Sequence, residues 1–106
     1  MAMVATSCSI GRHASDMGGG ACAIFGRVSM ELEDGSLTVA QAEPELRRAL
    51  KLAGEAAAAG GEESWHDLWQ DLAVTLQQLV EAQDDLAAFD AAGDRATEIC
   101  APVTGT

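Results

Sequence analysis

Large and basic side chains are scarce in this sequence. Tyrosine is absent, phenylalanine and tryptophan occur twice each, and only six Lys and Arg residues accompany 17 Asp and Glu residues. Much of the 48% apolar content is alanine, so a monomer of 106 residues would have a thin core. Such a core favours association, because a partner or a second copy can cover the apolar faces.

The charge balance argues against two classes of binding partner. The net charge is −11, whereas binding to nucleic acid comes largely from Lys and Arg on phosphates. Anionic membrane surfaces likewise attract basic segments rather than acidic ones. We therefore expect no nucleic acid and no membrane partner, while the charge is compatible with a basic protein partner.

Long apolar runs and targeting signals are also missing. No stretch approaches the roughly 18 apolar residues of a membrane span. The N-terminus has neither a cationic start nor an apolar block of signal-peptide length, which predicts a cytoplasmic protein. The odd cysteine count does not suggest a secreted disulfide framework. Cys8, Cys22 and Cys100 match no zinc motif with His13, so we interpret them as small apolar residues.

The composition changes near Met30 and suggests three parts. Residues 1–35 are rich in Gly, Ser and Cys, residues 36–101 form an acidic helical domain, and residues 102–106 form a tail. One hypothesis makes residues 1–29 an appendage in front of a true initiator at Met30. Mass spectrometry of the natural N-terminus tests this hypothesis, because a peptide covering residues 2–11 would reject it.

The rival interpretation of the N-terminal part is a β-strand or hairpin. Between Cys22 and Leu32, apolar residues occupy alternate positions and would share one face: Cys22, Ile24, Val28, Met30 and Leu32. The segment Val4–Ile10 would pair with this strand across a loop rich in glycine. Asp34 and Gly35 would then form a turn.

The first clear helix covers residues 39–59. Thr38 and Gln41 have the spacing of a capping box. The apolar residues recur at helical spacing and form one stripe: Val39, Ala42, Leu46, Ala49, Leu50, Ala53, Ala56 and Ala57. Pro44 either kinks this helix or lies in its first turn, where its missing N–H costs least. Gly60 and Gly61 end the helix.

The second helix follows a short turn and should form an antiparallel hairpin with the first. Ser64 suits its N-cap. One apolar face runs along it: Trp65, Leu68, Trp69, Leu72, Leu76, Leu79 and Val80. Gln83 falls within this face. Either the helix breaks at residues 83–85, or Gln83 meets a polar partner and sets the register of paired helices.

A short C-terminal helix follows the break. With Asp84 or Asp85 as its N-cap, it has a new stripe: Leu86, Phe89, Gly93, Ala96 and Ile99 or Cys100. Pro102 predicts that this helix ends just before it. The expected fold is therefore mainly α, with an antiparallel helical hairpin, a short C-terminal helix and an N-terminal β-strand or hairpin.

No group of polar residues indicates a catalytic, cofactor or metal site. In SWHDLWQDL, Asp67 and Asp71 share one helical face, while His66 lies roughly 100° away from Asp67. A helical metal site needs its ligands on one face, so we interpret these residues as a solvated face. The segment Gly11–Gly20 lacks the Gly-Lys-Ser/Thr ending of a phosphate-binding loop, and we expect a flexible turn there.

The sequence as a whole predicts a small acidic, non-catalytic protein–protein interaction module. It would associate with itself or dock a protein partner through an apolar helix face: Trp65, Leu68, Trp69, Leu72, Leu76, Leu79 and Gln83. The alternative is a charge-based inhibitor or antitoxin-like protein whose acidic face neutralises a basic partner. Binding that is sensitive to salt would favour the acidic face, and insensitive binding would favour the apolar face.

Overall fold

In a computed structural model, the described residues form four helices. They are α1 (Ala2–Asp34), α2 (Val39–Ala59), α3 (Glu63–Glu81) and α4 (Leu86–Thr104). The structure describes the backbone of residues 2–59 and 63–104, and the side chains of residues 16–59 and 65–103. These ranges contain no β-strand, which confirms the mainly α fold.

Each helix runs antiparallel to the next, and α4 returns beside α1. Cross-helix contacts establish this order: Arg27 pairs with Glu45, His66 reaches Ala57, Arg95 pairs with Asp71, and Cys22 is bonded to Cys100. The first three contacts join consecutive helices, and the last joins α1 to α4. The described residues therefore form an up-down-up-down four-helix bundle.

One hydrophobic core contains residues from all four helices. Its largest fully buried side chains are Trp69, Leu46, Leu72, Leu76 and Leu79. The alanine stripe predicted for α2 is confirmed, because Ala42, Ala49, Ala53 and Ala56 are completely buried between the neighbouring helices. Small side chains at these positions let the backbones of adjacent helices approach closely.

The strand predicted at residues 22–32 is wrong, because this segment is part of α1. Its apolar residues also recur at helical spacing: Cys22, Phe25 and Val28 are buried, and Leu32 packs against the core. A short apolar segment can satisfy both periods, so its pattern alone does not decide between strand and helix. With residues 22–32 helical, the hairpin expected with Val4–Ile10 loses one of its strands.

The described part of α1 is integral to the bundle rather than an appendage. Ala21, Cys22, Phe25 and Val28 belong to the same core as the residues of α2, α3 and α4. The flexible turn expected at residues 11–20 is also wrong, because the backbone there is helical. Met30, by contrast, is one of the most exposed large apolar side chains among the described residues.

Local signals at the start of α2 behave as predicted. The Thr38 N–H donates a hydrogen bond to Gln41 Oε1 at 3.0 Å, and the Gln41 N–H donates to Thr38 Oγ1 at 3.1 Å. This reciprocal pair is a capping box. The predicted bounds of residues 39–59 are confirmed. Pro44 lies in the second turn rather than the first, so the helix continues through it. Gly60 and Gly61 lie outside the described residues.

The break predicted at residues 83–85 is confirmed, since α3 ends at Glu81 and α4 begins at Leu86. The Ala88 N–H donates to Asp85 Oδ1 at 3.2 Å, which makes Asp85 the N-cap. The predicted end before Pro102 is wrong, because α4 continues through Pro102 to Thr104. Buried Ile99 and Cys100 hold this last part of α4 against the core. At 19 residues, α4 is as long as α3.

The predicted turn at Asp34 and Gly35 connects α1 to α2. Gly35 has φ of +82°, a conformation that favours glycine. The Ser36 N–H donates to Asp34 Oδ1 at 2.8 Å. Hydrogen bonds from the Ser36 side chain and backbone lower the pKa of Asp34. The turn is therefore favoured above the ordinary pKa of aspartate, and this contribution is lost as the pH falls below the lowered pKa.

Candidate interaction groove

The apolar face predicted for docking lies mostly inside the bundle. Trp69, Leu72, Leu76 and Leu79 are at most 1% exposed, because α2 and α4 flank α3 on either side. Leu68 and Gln83 are half-buried, while Trp65 is 40% exposed. The cover for most of this face thus comes from the chain itself, and of the four buried side chains Leu79 lies at the bottom of an open groove between α1 and α4.

Trp65 and Trp69 pack together near the connection between α2 and α3. Their ring centroids are 5.6 Å apart and the planes differ by 26°, which is a stacked arrangement. Gly18 of α1 also lies against the Trp69 ring. A Cβ atom at Gly18 would lie 2.4–2.6 Å from three ring carbons of Trp69. The missing side chain of Gly18 therefore provides the space that the buried indole occupies.

His66 and the nearby aspartates have structural partners. His66 Nδ1 lies 2.9 Å from the Ala57 carbonyl oxygen in the last turn of α2, where backbone acceptors lack helical partners. Asp71 pairs with Arg95 of α4 at 3.4 Å. Within residues 16–59 and 65–103, no three His, Cys, Asp or Glu side chains are grouped as metal ligands. His66 therefore does not belong to the predicted solvated face, because its side chain contacts the backbone of α2.

Two of the three cysteines form a disulfide bond. Cys22 of α1 and Cys100 of α4 are linked, with their Cα atoms 5.6 Å apart and a separation of 78 positions in the sequence. The interpretation of these two residues as ordinary small apolar side chains is therefore wrong. Cys22 and Cys100 are therefore unable to bind zinc together with Cys8 and His13 while the disulfide is intact. The side chains of Cys8 and His13 lie outside the described part of the chain.

An open groove runs between α1 and α4, which we call the α1–α4 groove. Among neighbouring helices these two are the least closely packed. Its main hollow has a volume of about 490 Å³. Apolar side chains of the core form its floor: Phe25, Val28, Leu46, Leu79 and Phe89. Phe25 (6% exposed) and Phe89 (8% exposed) are the most accessible of them. A second hollow of about 260 Å³ continues it towards Cys22, Cys100 and exposed Met30. Both hollows are lined by Phe25, Ser29 and Thr97, so they adjoin each other along the groove.

The rim of the α1–α4 groove is acidic. Glu33 lies on the α1 side, Asp90 and Asp94 lie on the α4 side, and no basic residue is among its described lining residues. The ion pairs found in residues 16–59 and 65–103 all use acids of α2 or α3. The rim carboxylates therefore have no counter-charge from the described part of the chain.

A row of like charges continues this rim along α4. Asp90, Asp94 and Glu98 follow one another at four-residue intervals, and all three are exposed. Like charges at this spacing destabilise a helix by about 0.2–0.5 kcal/mol per pair. Sequence reasoning assigned no role to Glu33, Asp90 or Asp94. The four-residue spacing was visible in the sequence, but only the packing of α1 against α4 places the row beside an apolar groove.

Gln83 stands apart from the other predicted face residues. It lies in the turn between α3 and α4, and its Nε2 atom is buried without a hydrogen-bond partner among the described residues. The helix break thus explains its position in the apolar pattern. A register-setting polar pair is not found for Gln83 in the part of the chain that the structure describes.

Comparison with protein-family models, curated proteins and solved structures gave no match to this chain. No helix in the described residues is long and apolar enough to cross a membrane.

Proposed function

We propose that this protein is a non-catalytic interaction module that docks a protein partner through the α1–α4 groove. The observation that supports this function is an open groove with an apolar floor and a rim of unpaired carboxylates. The same proposal includes that the protein has no enzymatic activity and binds no cofactor.

The groove replaces the α3 face as the proposed docking surface. Trp69, Leu72, Leu76 and Leu79 stabilise the bundle, since each is buried in its core. Of the predicted face, Trp65 is the member with substantial exposure. Self-association stays an alternative, and sedimentation equilibrium tests it, because a monomer across the whole concentration range would exclude it.

A glycine in the groove permits a direct test of docking. Gly93 lines the groove, and a Cβ atom built there meets nothing within 4 Å. We expect Gly93→Leu to place an apolar side chain across the groove while improving helix propensity, because glycine costs about 1 kcal/mol in a helix. The variant should fold and lose partner binding, as measured by affinity capture from an extract of the native cells.

Gly54→Leu is the matched control for this experiment. Gly54 lies on the exposed side of α2, and its Cβ position is also open. A partner captured by the wild type and by Gly54→Leu, but not by Gly93→Leu, supports docking in the groove. Equal capture of the same partner by all three proteins rejects it. Circular dichroism and melting curves establish that both variants are folded.

The second candidate function is charge-based neutralisation of a basic partner, as an inhibitor or antitoxin-like protein would do. The net charge of −11 and the unpaired acids of the rim favour it. We expect such binding to weaken steeply as the salt concentration rises, because exposed charges are screened beyond about 8 Å at physiological ionic strength. Co-purification of the captured partner in low and high salt measures this. A complex that survives high salt unchanged argues for the apolar floor instead.

The proposal also includes the cellular compartment in which the protein acts. The sequence favours a cytoplasmic protein without nucleic-acid or membrane partners. The Cys22–Cys100 disulfide weighs against a permanently reducing compartment, where such bonds are rare. Alkylation of free thiols in intact native cells tests the bond in place. If Cys22 and Cys100 are both alkylated, the disulfide is absent there and the cytoplasmic proposal stands.

A further inference from the structure

We propose that the occupant of the α1–α4 groove is a basic amphipathic helix from a partner protein. This inference rests on the proposed docking function and adds the chemistry of the partner. A helix lying in a groove presents apolar residues at three- and four-residue spacing towards the floor, and its flanks lie beside the rim. Here the floor is apolar and the rim is acidic, so Lys or Arg belongs on the flanks of the bound helix.

The charge pattern around the groove selects a basic occupant. Glu33 lies on the α1 side, while Asp90 and Asp94 lie on the α4 side, so acids occur on both rims. Asp90 and Asp94 repel each other at their four-residue spacing. Cations placed between the rims would attract both sides and reduce that repulsion. An acidic helix of the same shape would add repulsion along its whole length.

The dimensions of the groove suit about three turns of helix. Along α1 the lining residues run from Cys22 to Glu33, which is a distance of roughly 16 Å at about 1.5 Å per residue. The groove is open along one side rather than enclosed, whereas pockets for small molecules bury about 70–90% of the ligand surface. Exposed Met30 lies beside the second hollow and extends the apolar surface.

A second copy of this chain lacks a helix of the required kind among the described residues. Helix α2 carries Arg47, Arg48 and Lys51 on its exposed side, yet its apolar stripe is buried in the bundle. The large apolar side chains that are exposed in the described part belong to α1, α3 and α4. No described helix therefore presents large apolar and several basic residues together, and a different protein fits the groove better.

The test uses labelled synthetic peptides and the full oxidised chain. One peptide of about 15 residues, a length at which isolated helices become marginally stable, has leucines on one face and lysines on the flanks. A second has glutamate at every lysine position, and a third has the composition of the first without a continuous apolar face. Fluorescence anisotropy measures the dissociation constants. We expect the first peptide to bind at least about tenfold more tightly than the other two.

Charge-neutral variants locate the binding site. Asp90→Asn with Asp94→Asn should weaken binding of the lysine peptide by about fivefold to tenfold, because two rim charges are lost. Glu55→Gln with Asp67→Asn is the matched control, since it removes the same charge from exposed positions outside the groove. We expect the control to weaken binding by less than about twofold, which is the contribution of net charge alone.

Several results would overturn the inference. Equal losses for the two double variants would mean attraction to net charge rather than to the rim. Equal binding of the lysine and glutamate peptides, or of the peptide without an apolar face, would reject a basic amphipathic occupant. The docking function is tested separately with the natural partner. If Gly93→Leu loses this partner while Asp90→Asn with Asp94→Asn binds it unchanged, docking in the groove is supported and a basic helix is rejected as the occupant.

Discussion

Loss of the Cys22–Cys100 disulfide is expected to lower the free energy of unfolding by about 4 kcal/mol, because the bond closes a long loop and restricts the unfolded chain. The two cysteines are 78 positions apart. The expected loss is a large part of the roughly 5–15 kcal/mol that stabilises a typical domain. Urea unfolding of the oxidised protein and of the Cys22→Ser, Cys100→Ser variant measures the difference.

Three controls make this experiment decisive. Cys8→Ser is introduced in every protein, which removes the third thiol and prevents exchange of disulfide partners. Both bonded cysteines are buried, so the reduced form of each protein is prepared by adding reductant to the unfolded chain and then refolding it. The double variant should then be insensitive to reductant. A difference below about 1 kcal/mol would contradict the loop-closure argument, and alkylation of both cysteines in the native unreduced protein would contradict the bond.

Replacement of Gly18 by alanine is expected to destabilise the bundle, although alanine is the better helix former. The new Cβ would lie 2.4–2.6 Å from the Trp69 ring carbons. Trp69 is 1% exposed and stacked on Trp65, so it has little room to move. Overpacking costs about 1–3 kcal/mol, and the gain in helix propensity of about 1 kcal/mol offsets part of it. Thermal and urea unfolding should therefore show a net loss of stability.

Gly19→Ala is the matched control, because it is the next residue of the same helix and its Cβ position has no neighbour within 4 Å. We expect it to stabilise the protein by up to about 1 kcal/mol, so the two variants should change stability in opposite directions. In addition, Gly18→Ala should cost less in a Trp69→Phe background, where the ring is smaller. Equal stabilisation by Gly18→Ala and Gly19→Ala would disprove the close packing of α1 on Trp69.

Features that depend on neighbouring residues were predictable from the sequence. The capping box at Thr38 and Gln41, the N-cap at Asp85 and the break after α3 are all as expected. Each depends on side chains that contact the backbone within a few residues, so the local pattern contains the necessary information. The stripes of α2 and α3 were also visible, because helical periodicity is strong over their lengths.

The candidate site was not predictable in the same way. The prediction chose the heaviest apolar face, Trp65 to Leu79, and most of that face is covered by the bundle. Pattern shows that a face is apolar, but it does not show which surface will cover it. The sequence pattern indicates no binding role for Asp90 and Asp94, since that role depends on Phe25 and Phe89 forming the floor beside them.

The acidic character, the mainly helical fold, the caps at Thr38 and Asp85, and the hairpin of α2 and α3 follow from the local sequence, whereas the N-cap predicted at Ser64 is wrong because α3 begins at Glu63. Tertiary structure alone decided that residues 22–32 are helical, that Cys22 meets Cys100, and that Gly18 makes room for Trp69. These outcomes depend on contacts between residues far apart in the chain. At such positions, local propensity does not favour one conformation over another. The free energy of packing against distant helices therefore determines which conformation forms.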